Sequence, residues 1–250
     1  MSGSIKSKIS VPTSQSLISV IIPTFNRVQY LEDAIASVLN QDYTPVELIV
    51  VDDGSTDATP SVVRGMGGNI RYFYQDNMGI AGARNTGVRL ATGAFLAFLD
   101  SDDVWMPGKL TRQMAVFAAR PETDVVYGHA EQFFSPEIEP EFRQRLKTAE
   151  GILPAPLPTS MLIRRAGFDH VGPFDPQYPV GTEIGWQARL QECDLTVTMM
   201  PDVVYRRRLH RSNFSLTHAD ASGDRLRALK AIIDRRRLAQ SASATGDASV

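Results

Sequence analysis

The chain has 250 residues, with 26 basic against 28 acidic side chains, a net charge of −2 and 43 % hydrophobic residues. That is enough for one sizeable core, and so balanced a charge gives no global field for nucleic acid or an anionic membrane. Cys193 is the only cysteine, which excludes a disulfide framework and fits a reducing compartment. No apolar run reaches the ~18 residues of a membrane span, so the expectation is a cytoplasmic protein, with peripheral membrane contact left open.

Residues 1–16 are Ser-rich without the apolar core of a signal peptide, and read as a disordered tail. Ile18 to Pro23 is a β-branched run, followed by helical spacing from Tyr30 to Leu39 through Leu31, Ala34, Ile35, Val38 and Leu39. Val46 to Val51 predicts a second strand, Thr59 to Val63 a short helix, Ile70 to Tyr74 a third strand, Gly79 to Leu90 a helix and Ala94 to Leu99 a strand. Pro107 is expected to open a helix through Leu110, Met114 and Phe117, and Asp124 to Tyr127 is a further strand. Glu131 to Glu150 is charged and aperiodic, and reads as a loop region or irregular helix. Alternating strands and helices imply an α/β fold, Rossmann-like, with a mainly parallel central sheet flanked by helices and ligands at the carboxyl ends of the strands.

The polar clusters fall at those ends: Pro23-Thr24-Phe25-Asn26-Arg27, Asp52-Asp53-Gly54-Ser55 and Asp100-Ser101-Asp102-Asp103. Clustered carboxylates repel and raise one another's pKa, a cost that a divalent cation removes. In an extended segment Asp100 and Asp102 project to one side and Asp103 to the other, as hard oxygen ligands for Mg²⁺ or Mn²⁺ that commonly also hold a substrate phosphate. Taken singly, each cluster is as readily a turn or helix cap.

Five motifs in order resemble the family 2 glycosyltransferases with the GT-A fold: Ser19 to Arg27, Ser37 to Gln41, Val50 to Asp57, Ala83-Arg84-Asn85-Thr86-Gly87 and Phe98 to Asp103. The resemblance implies a nucleotide-diphosphate-sugar donor (a UDP-sugar favoured), a divalent metal, Mn²⁺ or Mg²⁺, at the Asp-x-Asp motif, and inversion at the anomeric carbon. It places Pro23, Thr24, Phe25, Arg27, Asp53, Arg84, Asp100 and Ser101 around the donor, and Asp102, Asp100 and Asp103 at the metal. A stacking face on Phe25, a planar guanidinium for diphosphate and carboxylates for base or ribose suit these roles. The expected partners are the nucleotide sugar and a glycan, lipid-linked or peptide acceptor, with neither nucleic acid nor a transmembrane segment.

In the second half, Ser160 to Arg165 and Val171-Gly172-Pro173-Phe174-Asp175 resemble the family's acceptor-side segments. Around Gly181 to Arg189 relatives carry an acidic pair; here Glu183 alone remains, and it is the candidate base for the acceptor hydroxyl. Pro201 to Ser215 resembles the family's last strand and its Arg-x-His-x-x-Asn ending, which makes His210 a further metal ligand. The basic run Arg206 to Arg211 fits diphosphate, an anionic acceptor or, most simply, a solvated sheet edge.

The expected organisation is a nucleotide-sugar-binding half over 17–129, an acceptor-binding half of the same GT-A domain over 130–217 forming a small C-terminal lobe, a basic helix over 218–239 suited to homodimer packing, and a disordered tail over 240–250. Two other classes share parts of this pattern. A non-catalytic nucleotide-sugar-binding protein matches the reduced acidic pair. A sugar-1-phosphate nucleotidyltransferase would instead carry a Gly-rich basic loop where Pro23-Thr24-Phe25-Asn26 stands.

Overall fold

The computed structural model describes residues 16–145, 151–177 and 181–213, together with Lys230. The expected tails and the basic helix over 218–239, with the dimer packing assigned to it, lie outside the described residues apart from Ser16 and Lys230. β1 (Ile18–Thr24), α1 (Val28–Leu39), β2 (Val46–Asp52), α2 (Thr59–Gly65), β3 (Ile70–Tyr74), α3 (Gly79–Leu90) and β4 (Phe95–Phe98) follow one another. The strands lie side by side as β3-β2-β1-β4, all parallel, with Ile18 opposite Val46 and Thr24 opposite Asp52. The order reverses between β1 and β4, where open α/β sheets form a crevice at their carboxyl edge.

The chain continues through β5 (Val104–Trp105), α4 (Lys109–Ala119), β6 (Val125–Phe134), α5 (Pro140–Arg145), β7 (Leu153–Ala155), a 3₁₀ turn at Pro158–Ser160, β8 (Leu162–Arg164), α6 (Arg165–Val171), α7 (Thr182–Glu192) and β9 (Val197–Leu209). Beyond β4 the sheet runs β8-β6-β9-β5, with β7 on β6. The parallel half matches the expected order, and beyond it the sheet is mixed. β8 is antiparallel to both β4 and β6, and β9 is parallel to β6. β6 and β9 therefore run in the sense of β1, β2 and β4, and their carboxyl ends emerge at the same edge.

Side-chain alternation along the strands divides the core. Ile18, Val20 and Ile22 of β1 join Leu31, Ile35, Leu110 and Phe117 from α1 and α4 on one face. Ile21, Leu96 and Phe98 pack with Ala83, Phe168, Trp186 and Leu190 from α3, α6 and α7 on the other. No helix among the described residues is long and apolar enough to cross a membrane.

Three local expectations are corrected. α4 starts at Lys109 after Gly108, whose φ of 72° is open to glycine at low cost, so Pro107 precedes the cap rather than forming the first turn. The stretch read as loop begins as the second half of β6, in which Glu131 pairs with Arg206 and Phe133 with Arg208, and continues into α5. Its charges and aromatics are satisfied across the ladder, which hides the strand from a hydropathy reading. β5 covers β9 only at Tyr205 and Arg206, and within the basic run Arg208 is buried while Arg206 is partly exposed and Arg211 exposed, so the solvated-edge reading holds for part of the run and fails at Arg208.

Candidate functional site

The loops after β1 and β2 are stitched into one cradle. Asn26 adopts the left-handed region at φ 49°, its backbone N–H donates to Ser55 Oγ (2.9 Å), and its Oδ1 accepts the Thr56 N–H (2.8 Å). Asp57 accepts the Val28 N–H at the start of α1, a cap supplied from the neighbouring loop. Asp52 is structural, accepting the Ser55 N–H and the Tyr72 hydroxyl. Asp53 is buried, and its Oδ1 accepts Gln75 Nε2 (2.7 Å) and the Met78 N–H (2.9 Å). Thr24 is buried with its hydroxyl unpartnered among the described residues, whereas Phe25 is 44 % exposed. Arg27, expected at the donor, gives its guanidinium to the carbonyls of Asn26 and Ser212.

After β4 the chain turns at once: the Asp103 N–H donates to the Asp100 carbonyl. The alternation expected for an extended segment is therefore replaced by a turn that sends its three carboxylates to different partners. Asp100 Oδ1 accepts Arg84 Nη2 (2.7 Å). Asp102 Oδ2 lies 3.0 Å from His210 Nε2. Asp103 is buried and accepts the Arg208 N–H (2.9 Å); burial, then the charges of Asp102 and Asp100, raise its pKa well above the carboxylate range. Ser101 is buried in the same turn.

The Arg-x-His-x-x-Asn ending of β9 grips this turn. Arg208 donates from Nε to the Asp102 carbonyl (3.1 Å) and from Nη2 to Asp33 (2.7 Å). The Asn213 amide accepts the His210 N–H and donates to the Arg208 carbonyl, closing the turn that carries the imidazole. His210 is fully buried, with Nδ1 2.9 Å from Ser212 Oγ. Arg206 and Arg211 pair with Glu131 and Glu139, so these cations serve the fold.

Arg84 is 4 % exposed and lies over the Phe174 ring at 5.4 Å, while its Nε and Nη1 are buried without protein partners among the described residues. It is not the solvated helix charge its position on α3 suggests. Phe174 also meets Trp186 of α7 at 5.5 Å. Glu183 sits in the first turn of the same helix, after Gly181 at φ 88°, and accepts the Thr182 hydroxyl (3.1 Å). The helix that carries Glu183 is joined to the Asp turn through Trp186, Phe174 and Arg84.

The four-residue metal set of Asp100, Asp102, Asp103 and His210 does not assemble: among the described residues no three His, Cys, Asp or Glu side chains form one metal-binding group. Asp100 is engaged by Arg84, and Asp103 faces the Arg208 backbone. Asp102 Oδ2 and His210 Nε2 are hydrogen-bonded to one another in this structure, and a carboxylate beside an imidazole is a donor pair whose chemistry suits a divalent ion. Their 3.0 Å separation is that of adjacent ligands on an octahedral centre with bonds of about 2.1 Å. The Ser212 contact at Nδ1 is the outer partner that a ligating histidine ordinarily has.

Several residues here escape a sequence reading. Gln75, Met78 and Asp33 act through single long-range bonds that no spacing announces. Arg208 and Asn213 stand within the Arg-x-His-x-x-Asn pattern, but their bonds to the Asp102 carbonyl and to the His210 backbone follow from the fold and not from that spacing.

The model of the family described as "Glycosyl transferase family 2" matches residues 19–172. Over 102 residues the chain is 45 % identical to the GalNAc(5)-diNAcBac-PP-undecaprenol beta-1,3-glucosyltransferase of Campylobacter jejuni, covering 39 % of this chain and 33 % of that one. Over 114 residues it is 43 % identical to an uncharacterized glycosyltransferase of Nostoc sp., covering 44 % and 35 % of the two chains. The chain thus spans about a third of the length of these curated relatives. The crystal structure of Staphylococcus aureus TarS 1–349 in complex with UDP-GlcNAc superposes with a TM-score of 0.68 at 20 % identity, covering 86 % of this chain and 65 % of that one, a likeness of fold. The motif order, the GT-A-like curled sheet and the match across residues 19–172 agree: the chain belongs to glycosyl transferase family 2.

Proposed function

We propose that the crevice binds a nucleotide-diphosphate sugar, a UDP-sugar first, and transfers the sugar to a hydroxyl of a glycan or glycoconjugate acceptor with inversion. The observation that carries this reading is the Asp102–His210 pair beside the buried Arg84–Asp100 pair, at the carboxyl ends of β4 and β9. The TarS complex with UDP-GlcNAc supports the choice of nucleotide. Asp102 and His210 would hold a divalent ion, Mn²⁺ or Mg²⁺, which would supply charge neutralisation for the departing diphosphate.

This chain's own groups do the rest. Arg84, fixed over Phe174, directs positive charge at the diphosphate, and Phe25 offers a face to the base. Asp53, oriented by Gln75 and the Met78 N–H, accepts from the base or ribose. Glu183 receives the acceptor proton as the acceptor oxygen bonds to the anomeric carbon and the diphosphate leaves with the electron pair of the broken C–O bond. Residues 17–129 supply the donor contacts and 130–217 the acceptor side.

A thermal-shift screen of UDP-sugars with and without Mn²⁺ tests the reading, because a ligand that binds only the folded state raises Tm. A rise that needs both nucleotide sugar and Mn²⁺ is expected. No rise with any UDP-sugar under either condition overturns the donor assignment.

A further inference from the structure

The His210 imidazole is held on more sides than its bonds to Asp102 and Ser212 account for. Tyr30 of α1, only 5 % exposed, places its ring 4.4 Å from the His210 ring at an interplanar angle of 35°. The far end of Tyr30 is fixed in turn: its hydroxyl donates to Glu137 Oε1 (2.5 Å), and the Ser135 hydroxyl donates to the other oxygen of the same carboxylate. Burial and then the Glu137 bond push the Tyr30 phenol up to about 12, so it stays a donor. The Arg208 guanidinium lies 5.1 Å from the same ring, which joins Tyr30 to the residue that holds the Asp102 carbonyl.

We propose that Tyr30 is a positioning residue for His210: its ring face, anchored by Glu137, fixes the imidazole plane so that Nε2 stays directed at Asp102. An imidazole free to rotate about its Cβ–Cγ bond would lose either Asp102 or Ser212. The bonds to those two residues define the correct orientation, and the packed aromatic face removes the others. The segment from Ser135 to Glu137, which carries no recognised motif, thereby acts on the far side of the site through Tyr30. This inference rests on the reading of Asp102 and His210 as a metal seat.

The test is Mn²⁺ binding followed by electron paramagnetic resonance in the presence of UDP, with no turnover involved. Tyr30→Leu is expected to weaken Mn²⁺ binding by about tenfold or more, as loss of an outer partner does, whereas Tyr30→Phe keeps the ring face but loses its Glu137 anchor and should weaken binding by less than Tyr30→Leu. His210→Ala removes the binding. The thermal midpoint of Tyr30→Leu separates positioning from a general loss of stability: weakened Mn²⁺ binding in a variant that melts close to the parent is positioning, whereas binding lost only in step with the midpoint overturns it. Should Tyr30→Leu not fold, Tyr30→Met, whose flexible side chain adapts to the gap but offers no flat face, carries the same expectation. Parent-like Mn²⁺ affinity in His210→Ala would remove the metal seat itself. Loss of binding in His210→Ala with parent-like affinity in folded Tyr30→Leu or Tyr30→Met would overturn the role of Tyr30 alone.

Discussion

The Asn85 side chain binds the backbone of Phe174 twice, donating from Nδ2 to its carbonyl at 2.7 Å and accepting its N–H at 2.9 Å. One amide on α3 thus imitates a strand partner for a residue 89 positions away. It holds the ring on which Arg84 rests and against which Trp186 of α7 packs. Asn85→Ala leaves both Phe174 groups without their partner and should cost about 2 kcal/mol. Urea unfolding of the two proteins measures it, and unchanged midpoints would remove Asn85 from this role.

Two residues further on, Gly87 meets β1 too closely for any side chain: a Cβ there would stand 2.3 Å from Ile21 Cγ2 and 3.0 Å from Cγ1. Ile21 is fully buried, with no space to turn into, so the contact between helix and sheet must shift. Gly87→Ala is expected to destabilise by about 1–3 kcal/mol through overpacking, despite alanine's better helix propensity. A thermal melt showing equal or higher stability would mean that the α3–β1 contact yields freely.

Asp102→Ala should lower Mn²⁺-dependent sugar transfer by at least about 100-fold, since it deletes half of the pair that fits the ion. The stability of this variant will change less than its activity, because the Arg208 bond to residue 102 is made to the main-chain carbonyl, which the substitution keeps. Near-normal turnover would place the metal elsewhere.

Glu183→Gln keeps the side chain's shape and its ability to accept the Thr182 hydroxyl, but cannot take up a proton. UDP-sugar binding should therefore survive in calorimetry while transfer to the acceptor falls by about 100-fold or more. An active glutamine variant would assign proton removal to another group.

At the opposite edge of the sheet, Glu47 joins β1, β2 and the α3–β4 turn, accepting from the Ser19 hydroxyl, Arg71, and both the N–H and hydroxyl of Thr92. Burial alone raises its pKa, but these bonds outweigh it and bring the carboxyl down to about 2. A folded-state pKa below the unfolded one gives stability that is fully present above about pH 4.5 and is lost as the pH falls through about 2. The contribution should be about 2 kcal/mol, less than the whole shift implies because Arg71 is half-exposed and screened. Glu47→Gln should flatten the acid limb of the stability profile between those limits, as read from urea midpoints.

The sequence reveals the donor half well because each of its elements has a local cause. β1, β2 and β4 are short apolar runs, α1 and α4 carry a clear apolar stripe, and the polar clusters sit at strand ends where the topology gathers ligands. Local pattern fails where a partner far along the chain decides the outcome. Glu131 and Phe133 form a strand only because Arg206 and Arg208 lie opposite. Arg84 is buried only because Phe174 and Asp100 receive it. The Asp turn illustrates both cases: its place after β4 is legible, but the direction of each carboxylate is set by residues on α3 and β9.

That dependence has a consequence for how the chain reaches its native state. β5 pairs only with β9 among the described strands, and the bond from Arg208 to Asp103 spans 105 residues. Contacts that close so large a loop form late, because the entropy of closure must be met before any of them is favourable. By the same rule the bonds from His210 to Asp102 and from Arg208 to the Asp102 carbonyl, which span 108 and 106 residues, form after the local contacts within the parallel half. Any product that stops short of β9 lacks both His210 and Arg208, and leaves the turn after β4 without the side chains that grip it.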